Sequence, residues 1–496
     1  MLVPLTRVDA SLDQTSLTFA SLFQLPKNED GFAHVAKLEE ASQRVPEGLR
    51  LKFVISQTGR WAIDIPDTLD ALERPLFGFT TADRSTTSYQ TAAGLLSPLS
   101  VLSSSSSTFL PYPDLSFFRH PSTPKTLADH ARGASILHIH CTIFSDALAV
   151  GISLPHGIFD GHGDGLVIRA LVAELHNQPW DVPPLFDQNP MQERLEALVA
   201  DKAVAAANPS PPTVQGWGSF SVGNVVRLIS TTLWEKLWWR SEGRFFFLRR
   251  EAVDLLVQQA RAEVAELTSG EEYVSTGDVV TACILKALHV AEFDSPDSFL
   301  STHAYNLRTL LDDYQPSAPP LAQYLHNCAS LYPFSSSPFP LSTLACESVG
   351  RLALRLRRSL LEHRTLPVVR KAWAEEGANL GASPMPLYGW PQPPAWLPLV
   401  GGRPYTHQFI VTNQTSLGLA DLALPGRDGV DLPLLAFHLC ATMPLLISGA
   451  LSIQEIPEGL LFGASMRQSR FESLGRAMEQ LEREVEADEN AKSSIL

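Results

Sequence analysis

Leu154-Pro155-His156-Gly157-Ile158-Phe159-Asp160-Gly161-His162-Gly163 is the stretch on which the reading of this chain turns. It follows an apolar run, Ala147–Leu154, that reads as a strand, and Ser135–Phe144 before it reads as a second strand joined through Ser145-Asp146. A hairpin that ends on His156 and turns at Asp160-Gly161 delivers an imidazole to the mouth of a sheet. Imidazole titrates near neutrality, so it can take a proton from an alcohol or an amine at physiological pH.

Composition narrows the classes of function. The chain has 496 residues, 45% apolar and 18% charged, which is globular and long enough for two domains. A net charge of −15 disfavours nucleic acid, whose backbone demands clustered Lys and Arg. Five cysteines, Cys141, Cys283, Cys328, Cys346 and Cys440, form no C-x-x-C pair, and several sit in apolar runs, so buried reduced thiols are expected. Arg7, Asp9 and Asp13 interrupt the first apolar stretch, and no run reaches the ~20 residues of a bilayer span. The expectation is a soluble, cytoplasmic protein, monomeric, with no nucleic acid or inserted membrane as partner.

Strand and helix patterns alternate in two unequal passes. Residues 1–185 carry helical spacing at Phe32–Val45 and Gly165–His176, with strands at Leu51–Ile55 and Trp61–Ile65; Ser103–Pro113 reads as a loop. Pro179–Pro212 shifts to Pro, Asn and Asp around one helical patch, Gln192–Ala207, which marks a crossover at 186–220. From 221 to 496 a second pass sets a strand at Arg244–Leu248 and helices at Arg250–Leu267, Thr276–Ala291 and Ser348–His363. Strands at Phe409–Thr412, Leu434–Met443 and Leu460–Met466 and a closing helix over Phe471–Ala487 complete it. Periodicity alone gives α/β, in two domains.

The His156–Gly161 motif, of the form HxxxDG, resembles that of BAHD-type acyl-CoA-dependent acyltransferases, in a fungal-looking version within the chloramphenicol acetyltransferase and condensation-domain superfamily. Weaker likenesses span most of the chain: Pro4–Asp9, Val274–Ala282, Ala304–Arg308, read as a strand bearing an arginine, and Tyr324–Cys328. A departure lies at Ile410–Leu422, where plant members carry Asp-Phe-Gly-Trp-Gly and this chain has no such motif. The resemblance implies two α/β sandwiches with the active site in a tunnel between them, and an acyl-CoA, acetyl-CoA by expectation, as co-substrate. It also implies His156 as general base, Asp160 as a structural partner of Arg308, and Gly161 closing the turn with positive φ. Oxyanion contacts are expected from Thr412, Asn413 and Gln414, and coenzyme A contacts from Ser275 and Thr276. Condensation domains, the nearest alternative, carry two adjacent histidines where this chain has Pro155-His156.

No G-x-S-x-G elbow competes for a covalent mechanism. A metal site from His138, His140 and His156 lacks a carboxylate or thiolate at ligand spacing, so none is expected. The apolar stretch Val225–Trp239 is read as a crossover helix packed on the second half, with a membrane-surface role as the other possibility. Aromatics at Trp217, Phe220, Trp234, Trp238, Trp239, Tyr388, Trp390 and Trp396, with no basic cluster, suggest an apolar acceptor bearing one hydroxyl, a terpenoid or polyketide. Two functions remain open: O-acyl transfer from coenzyme A, or a repurposed fold that condenses from a carrier-protein thioester or performs a cyclisation or elimination.

Overall fold

The computed structural model describes residues 2–4, 15–49, 53–57, 60–64, 77–95, 107–110, 113–184, 189–208, 241–292, 298–335, 339–381, 407–442 and 449–495, with short pieces at 230, 233–234, 237–239 and 294. The likeness at Pro4–Asp9 lies almost wholly outside them, as do Trp217, Phe220, Tyr388, Trp390 and Trp396.

In the first half the elements that matter are β1 (Ser16–Gln24), α1 (Gly31–Leu49), β2 (Phe77–Arg84), β3 (Thr108–Leu110), β4 (Leu137–Phe144), β5 (Ala147–Pro155) and α2 (Gly161–Leu175). The second half supplies β6 (Glu242–Arg249), α3 (Arg250–Thr268), α4 (Thr276–His289), β7 (Ser298–Asn306), α5 (Arg308–Tyr314), β8 (Ala329–Pro333) and α6 (Val349–His363). It closes with β9 (His407–Asn413), β10 (Leu434–Thr442), β11 (Ala450–Ile456), β12 (Gly459–Met466) and α7 (Gln468–Ile495).

Two mixed sheets form the frame. One has the order β10-β1-β5-β4-β2; the other runs β8-β7-β9-β11-β12-β6-β3, with Phe339–Pro340 pairing beside β7. Each sheet borrows a strand from the other half of the chain. β10 pairs antiparallel with β1, His438 opposite Ala20, and β3 pairs antiparallel with β6, Phe109 opposite Phe246. The expected division at 1–185 and 221–496 therefore follows the chain but not the sheets. β3 is a finding in its own right, because three residues at the edge of a serine-rich segment carry no alternation for a sequence pattern to reveal.

The alternating faces explain the packing. Leu148, Val150, Ile152 and Leu154 of β5 face Val35, Leu38 and Val45 of α1 and Val167, Ile168 and Leu171 of α2. In the larger sheet Phe246, Leu248, Val411, Leu451, Ile453 and Phe462 face the layer of α3, α4, α6 and α7. The opposite face of that sheet, through Phe245, Phe247 and Leu461, belongs to the same core as β5. One apolar interior thus runs between the halves.

Several expected elements have different ends. The helix expected at Gly165 begins at Gly161, because Asp160 caps it by accepting from Gly163 N. The patch Gln192–Ala207 is two helices, Pro190–Ala200 and Lys202–Ala207, parted at Asp201, which closes the first and caps the second. Arg308 is not on a strand: β7 ends at Asn306 and Arg308 starts α5. Most of the segment Val225–Trp239 lies outside the described residues; Leu233, Trp234, Leu237 and Trp238 are exposed, with the indoles of Trp234 and Trp238 stacked at 5.2 Å, while the Arg467 guanidinium lies 4.9 Å from the Trp239 ring. Of the five free cysteines, Cys346 is exposed and Cys283 part-buried; Cys141, Cys328 and Cys440 are buried.

Glycine decides how closely α2 approaches the second half. A Cβ on Gly163 would lie 1.9 Å from the Leu325 carbonyl oxygen, and one on Gly165 would lie 2.2 Å from that of Leu417. Both obstacles are backbone, which cannot swing aside. Gly163→Ala is therefore expected to cost about 1–3 kcal/mol, as overpacking does. Denaturant unfolding measures it, and a variant as stable as the parent would show that the halves do not meet here.

Candidate active site

His156 stands one residue beyond β5, and the ladder to β1 continues to it: its backbone N donates to Thr15 O at 2.9 Å. The chain then doubles back, with Ile158 N and Phe159 N both donating to Pro155 O. This turn brings the Phe159 carbonyl to the imidazole, 2.9 Å from Nδ1. A carbonyl only accepts, so Nδ1 carries the proton and Nε2 keeps its lone pair. Nε2 makes no hydrogen bond among the described residues, and the side chain is part-exposed. Burial lowers the pKa of His156; the bond to Phe159 and the charge of Asp160 oppose this without cancelling it. The ring is therefore neutral at pH 7, with its basic nitrogen open.

Asp160 points away from that ring. Its Oδ2 accepts from Arg308 Nη1 at 2.8 Å and Cys328 N at 2.9 Å; its Oδ1 accepts from Arg308 Nη2 at 3.0 Å and Gly163 N at 3.0 Å. Arg308 spends its remaining donors on the carbonyls of Tyr324 and His326 and on Asn306 Oδ1. Both side chains are buried, Arg308 at 2% exposure and Asp160 at 7%. Burial would raise the Asp160 pKa, but Arg308 and the two backbone donors outweigh it and hold the carboxylate below its usual range.

The 324–328 segment grips the same turn at a second point. Asn327 Nδ2 donates to His156 O at 3.0 Å, and its backbone N donates to Ile158 O at 3.2 Å. Phe159 forms an isolated antiparallel bridge with His326, and their rings stack at 6.2 Å. Asn327 falls in the Tyr324–Cys328 segment that the resemblance marks, but its bond to His156 depends on a fold contact 171 residues away that no local pattern reports.

Gly161 does not have the positive φ expected of it; it is the first residue of α2. The constraint is close approach: a Cβ there would meet Leu417 Cδ1 at 2.7 Å and Gln414 Nε2 at 3.1 Å. The trio at the end of β9 divides as strand alternation requires. Asn413 lies on the α4 side, where its Nδ2 would be 2.3 Å from a Cβ on Gly277, and its Oδ1 accepts from Thr415. Gln414, 5% exposed, turns its Nε2 toward Gly161 and accepts on Oε1 from Gln454 Nε2 at 2.9 Å. Thr412 is part-buried on the same strand. Ser275 caps α4 in a reciprocal box with Asp278, which occupies its hydroxyl, whereas Thr276 makes no side-chain hydrogen bond among the described residues.

His138 and His140 are held by hydroxyls, His140 Nδ1 by Thr80 at 2.8 Å and His138 Nε2 by Ser135 at 3.4 Å. No group of three potential metal ligands occurs among the described residues, and no described helix is long and apolar enough to cross a membrane. Asp164, one turn into α2, is fully buried with neither carboxyl oxygen hydrogen-bonded. Burial and the neighbouring Asp160 charge raise its pKa well above the ordinary value, so it is held as the neutral acid.

No family model matches the chain. It is 30% identical over 258 residues to the O-acyltransferase pboC of Aspergillus ustus, covering 51% of this chain and 50% of that protein. It is 26% identical over 360 residues to the acetyltransferase adrJ of Penicillium roqueforti, covering 71% and 68%. The match thus spans half the length of the first relative and about two-thirds of the second. Among solved structures, TRI101 of F. sporotrichioides complexed with coenzyme A and T-2 superposes with TM-score 0.60 at 16% identity, covering 96% of this chain and 97% of that one. Vinorine synthase does so with TM-score 0.55 at 16% identity, covering 96% and 93%. These likenesses bear out the expected fold, two α/β sandwich domains.

Two predictions follow from the charges. Asp160→Asn and Arg308→Met should each cost about 3–5 kcal/mol, the penalty of a buried charge left unpaired, with activity falling alongside. Additive losses in the double variant would show that the two groups do not act as a pair. For Asp164, a folded pKa above the unfolded value means that stability falls as pH rises between the two. Asp164→Asn should therefore be no more stable than the parent near pH 4, and should gain about 1.4 kcal/mol for each pH unit above it, up to the folded pKa. A stability difference that does not vary with pH would contradict the buried-acid assignment.

Proposed function

We propose that this chain, which shares its fold with TRI101 and vinorine synthase and is similar in sequence to the O-acyltransferase pboC and the acetyltransferase adrJ, is an O-acyltransferase of the BAHD and chloramphenicol-acetyltransferase-like kind that moves an acyl group from a coenzyme A thioester to the hydroxyl of an apolar acceptor. The observation that carries this reading is the tautomer of His156: Nδ1–H is bonded to Phe159 O, and Nε2 is left as an open base. The acceptor O–H gives its proton to Nε2 while its oxygen attacks the thioester carbonyl. The tetrahedral oxyanion then collapses, the C–S bond breaks, and the proton on Nε2 passes to the departing thiolate. No covalent enzyme intermediate is needed.

The oxyanion requires a donor that is fixed before reaction. The amide Nε2 of Gln414, facing Gly161 at the start of α2, is our candidate, with Thr412 beside it. Asn413, on the other side of the strand, acts on α4 rather than on the substrate. On the coenzyme A side Thr276 has the free hydroxyl, and Ser275 serves through the geometry of the helix cap. Asp160 and Arg308 fix the turn.

The acyl group we favour is acetyl, in keeping with the named activity of adrJ, and the acceptor a terpenoid or polyketide alcohol. TRI101 was solved with coenzyme A and T-2, a small-molecule complex of the kind this reading expects. We place the protein in the cytoplasm as a monomer. Acetyl-CoA incubated with a panel of apolar alcohols should release free thiol, and His156→Ala should lower turnover by at least ~10²-fold with the fold unchanged by circular dichroism. Thiol release only with sugars or charged amines, or near-parental turnover in folded His156→Ala, would refute the reading.

A further inference from the structure

We infer that Gln454 is a positioning residue that sets the polarity of the Gln414 amide, so that a hydrogen-bond donor rather than an acceptor faces the catalytic turn. The inference rests on the proposed acyl transfer and on Gln414 as its oxyanion donor.

The geometry starts from the parallel ladder of β9 and β11. Asn413 lies opposite Ile453, and Gln414 N donates to Ile453 O at 2.8 Å, so the next residues, Gln414 and Gln454, stand side by side. Ile453 belongs to the helix-layer core and Asn413 contacts Gly277 of α4, which puts both glutamines on the face turned from the helices. Both are buried, at 5% and 2% exposure, where an amide that points the wrong way cannot find water instead.

A carboxamide has an oxygen on one corner and a nitrogen on the other. Gln454 Nε2 donates to Gln414 Oε1 at 2.9 Å, which uses the accepting corner. The donating corner of Gln414 is thereby turned the other way, toward Gly161, five residues past His156. Were the amide rotated by half a turn, a carbonyl oxygen would face the developing oxyanion and repel it. Nothing on Gln414 itself chooses between these orientations; the donor on Gln454 does. Gln454 touches no reacting atom in this account and acts only through its neighbour.

Substitutions that change the character of residue 454 at nearly constant shape test this. Gln454→Glu offers only an acceptor once its carboxyl is ionised, so, assayed at a pH high enough to charge it, it recruits Gln414 Nε2 and reverses the amide; Gln454→Met offers neither. The assay is acetyl-CoA thiol release with an alcohol that the parent acylates. Gln454→Glu should lower kcat on the order of 10²-fold, the scale of losing one oxyanion donor, and Gln454→Met by about tenfold. KM for acetyl-CoA should stay within about twofold for both, because the contact strengthens only in the transition state. In a Gln414→Met background the Gln454→Glu change should cost less than about twofold, since there is no amide left to orient.

A Gln454→Glu protein with parental kcat overturns the inference. So does the same loss with and without Gln414, or a loss carried by KM and melting temperature alone, each of which marks an ordinary packing role. His156→Ala assayed alongside separates the two levels: if it is inactive while the Gln454 variants are not, the inference falls and the acyl-transfer reading stands. If His156→Ala is active, or if the parent releases no thiol with any alcohol, the underlying reading falls and takes this one with it.

Discussion

The bidentate pair of Asp160 and Arg308 is the contact on which the rest of the site depends. It joins the turn after β5 to the first residue of α5, across the boundary between the two halves. An isolated buried carboxylate would be costly, and so would an isolated buried guanidinium. Here every oxygen of Asp160 accepts twice, and Arg308 also serves two carbonyls of the 324–328 segment. The pair therefore fixes where the second half meets the histidine turn, through the backbone that Arg308 gathers as much as through the charge. Asn327, placed by that gathering, holds the His156 carbonyl.

From this clamp the chemistry follows by exclusion. Asp160 is fully committed to Arg308 and to two backbone N–H groups, so it is not available to the imidazole. The Phe159 carbonyl takes that place and does what a triad carboxylate would do for orientation: it selects the tautomer with Nε2 unprotonated. It does so without the full negative charge that would hold a proton on the ring. A base kept neutral by burial and aimed by a backbone carbonyl suits an alcohol that needs its proton removed only as it attacks.

The sequence showed the site's centre and hid its surroundings, for physical reasons. His156, Asp160 and Gly161 lie within six residues, so a strand followed by a turn displays them together. Arg308 was reachable only through resemblance, and even so it sits on a helix rather than the strand expected. The strand at Thr108–Leu110 and the placement of Leu434–Thr442 in the first sheet are exchanges between halves, which depend on partner edges that no local periodicity reports. The resemblance implies a left-handed φ at Gly161 as the residue that closes the turn, whereas what excludes a side chain there is Leu417 and Gln414, more than 250 residues on. Gln454 and the buried acid Asp164 are in the same class: polar residues whose meaning exists only after folding.

The tautomer of His156 is the point at which the account can be met most directly. Protein labelled with 15N-histidine, with the His156 signals assigned by comparison with His156→Gln, reports the protonation of each ring nitrogen by NMR. The expected result is a neutral ring at pH 7, with Nδ1 protonated and Nε2 bare. A proton on Nε2, or a ring that is charged at neutral pH, would contradict it.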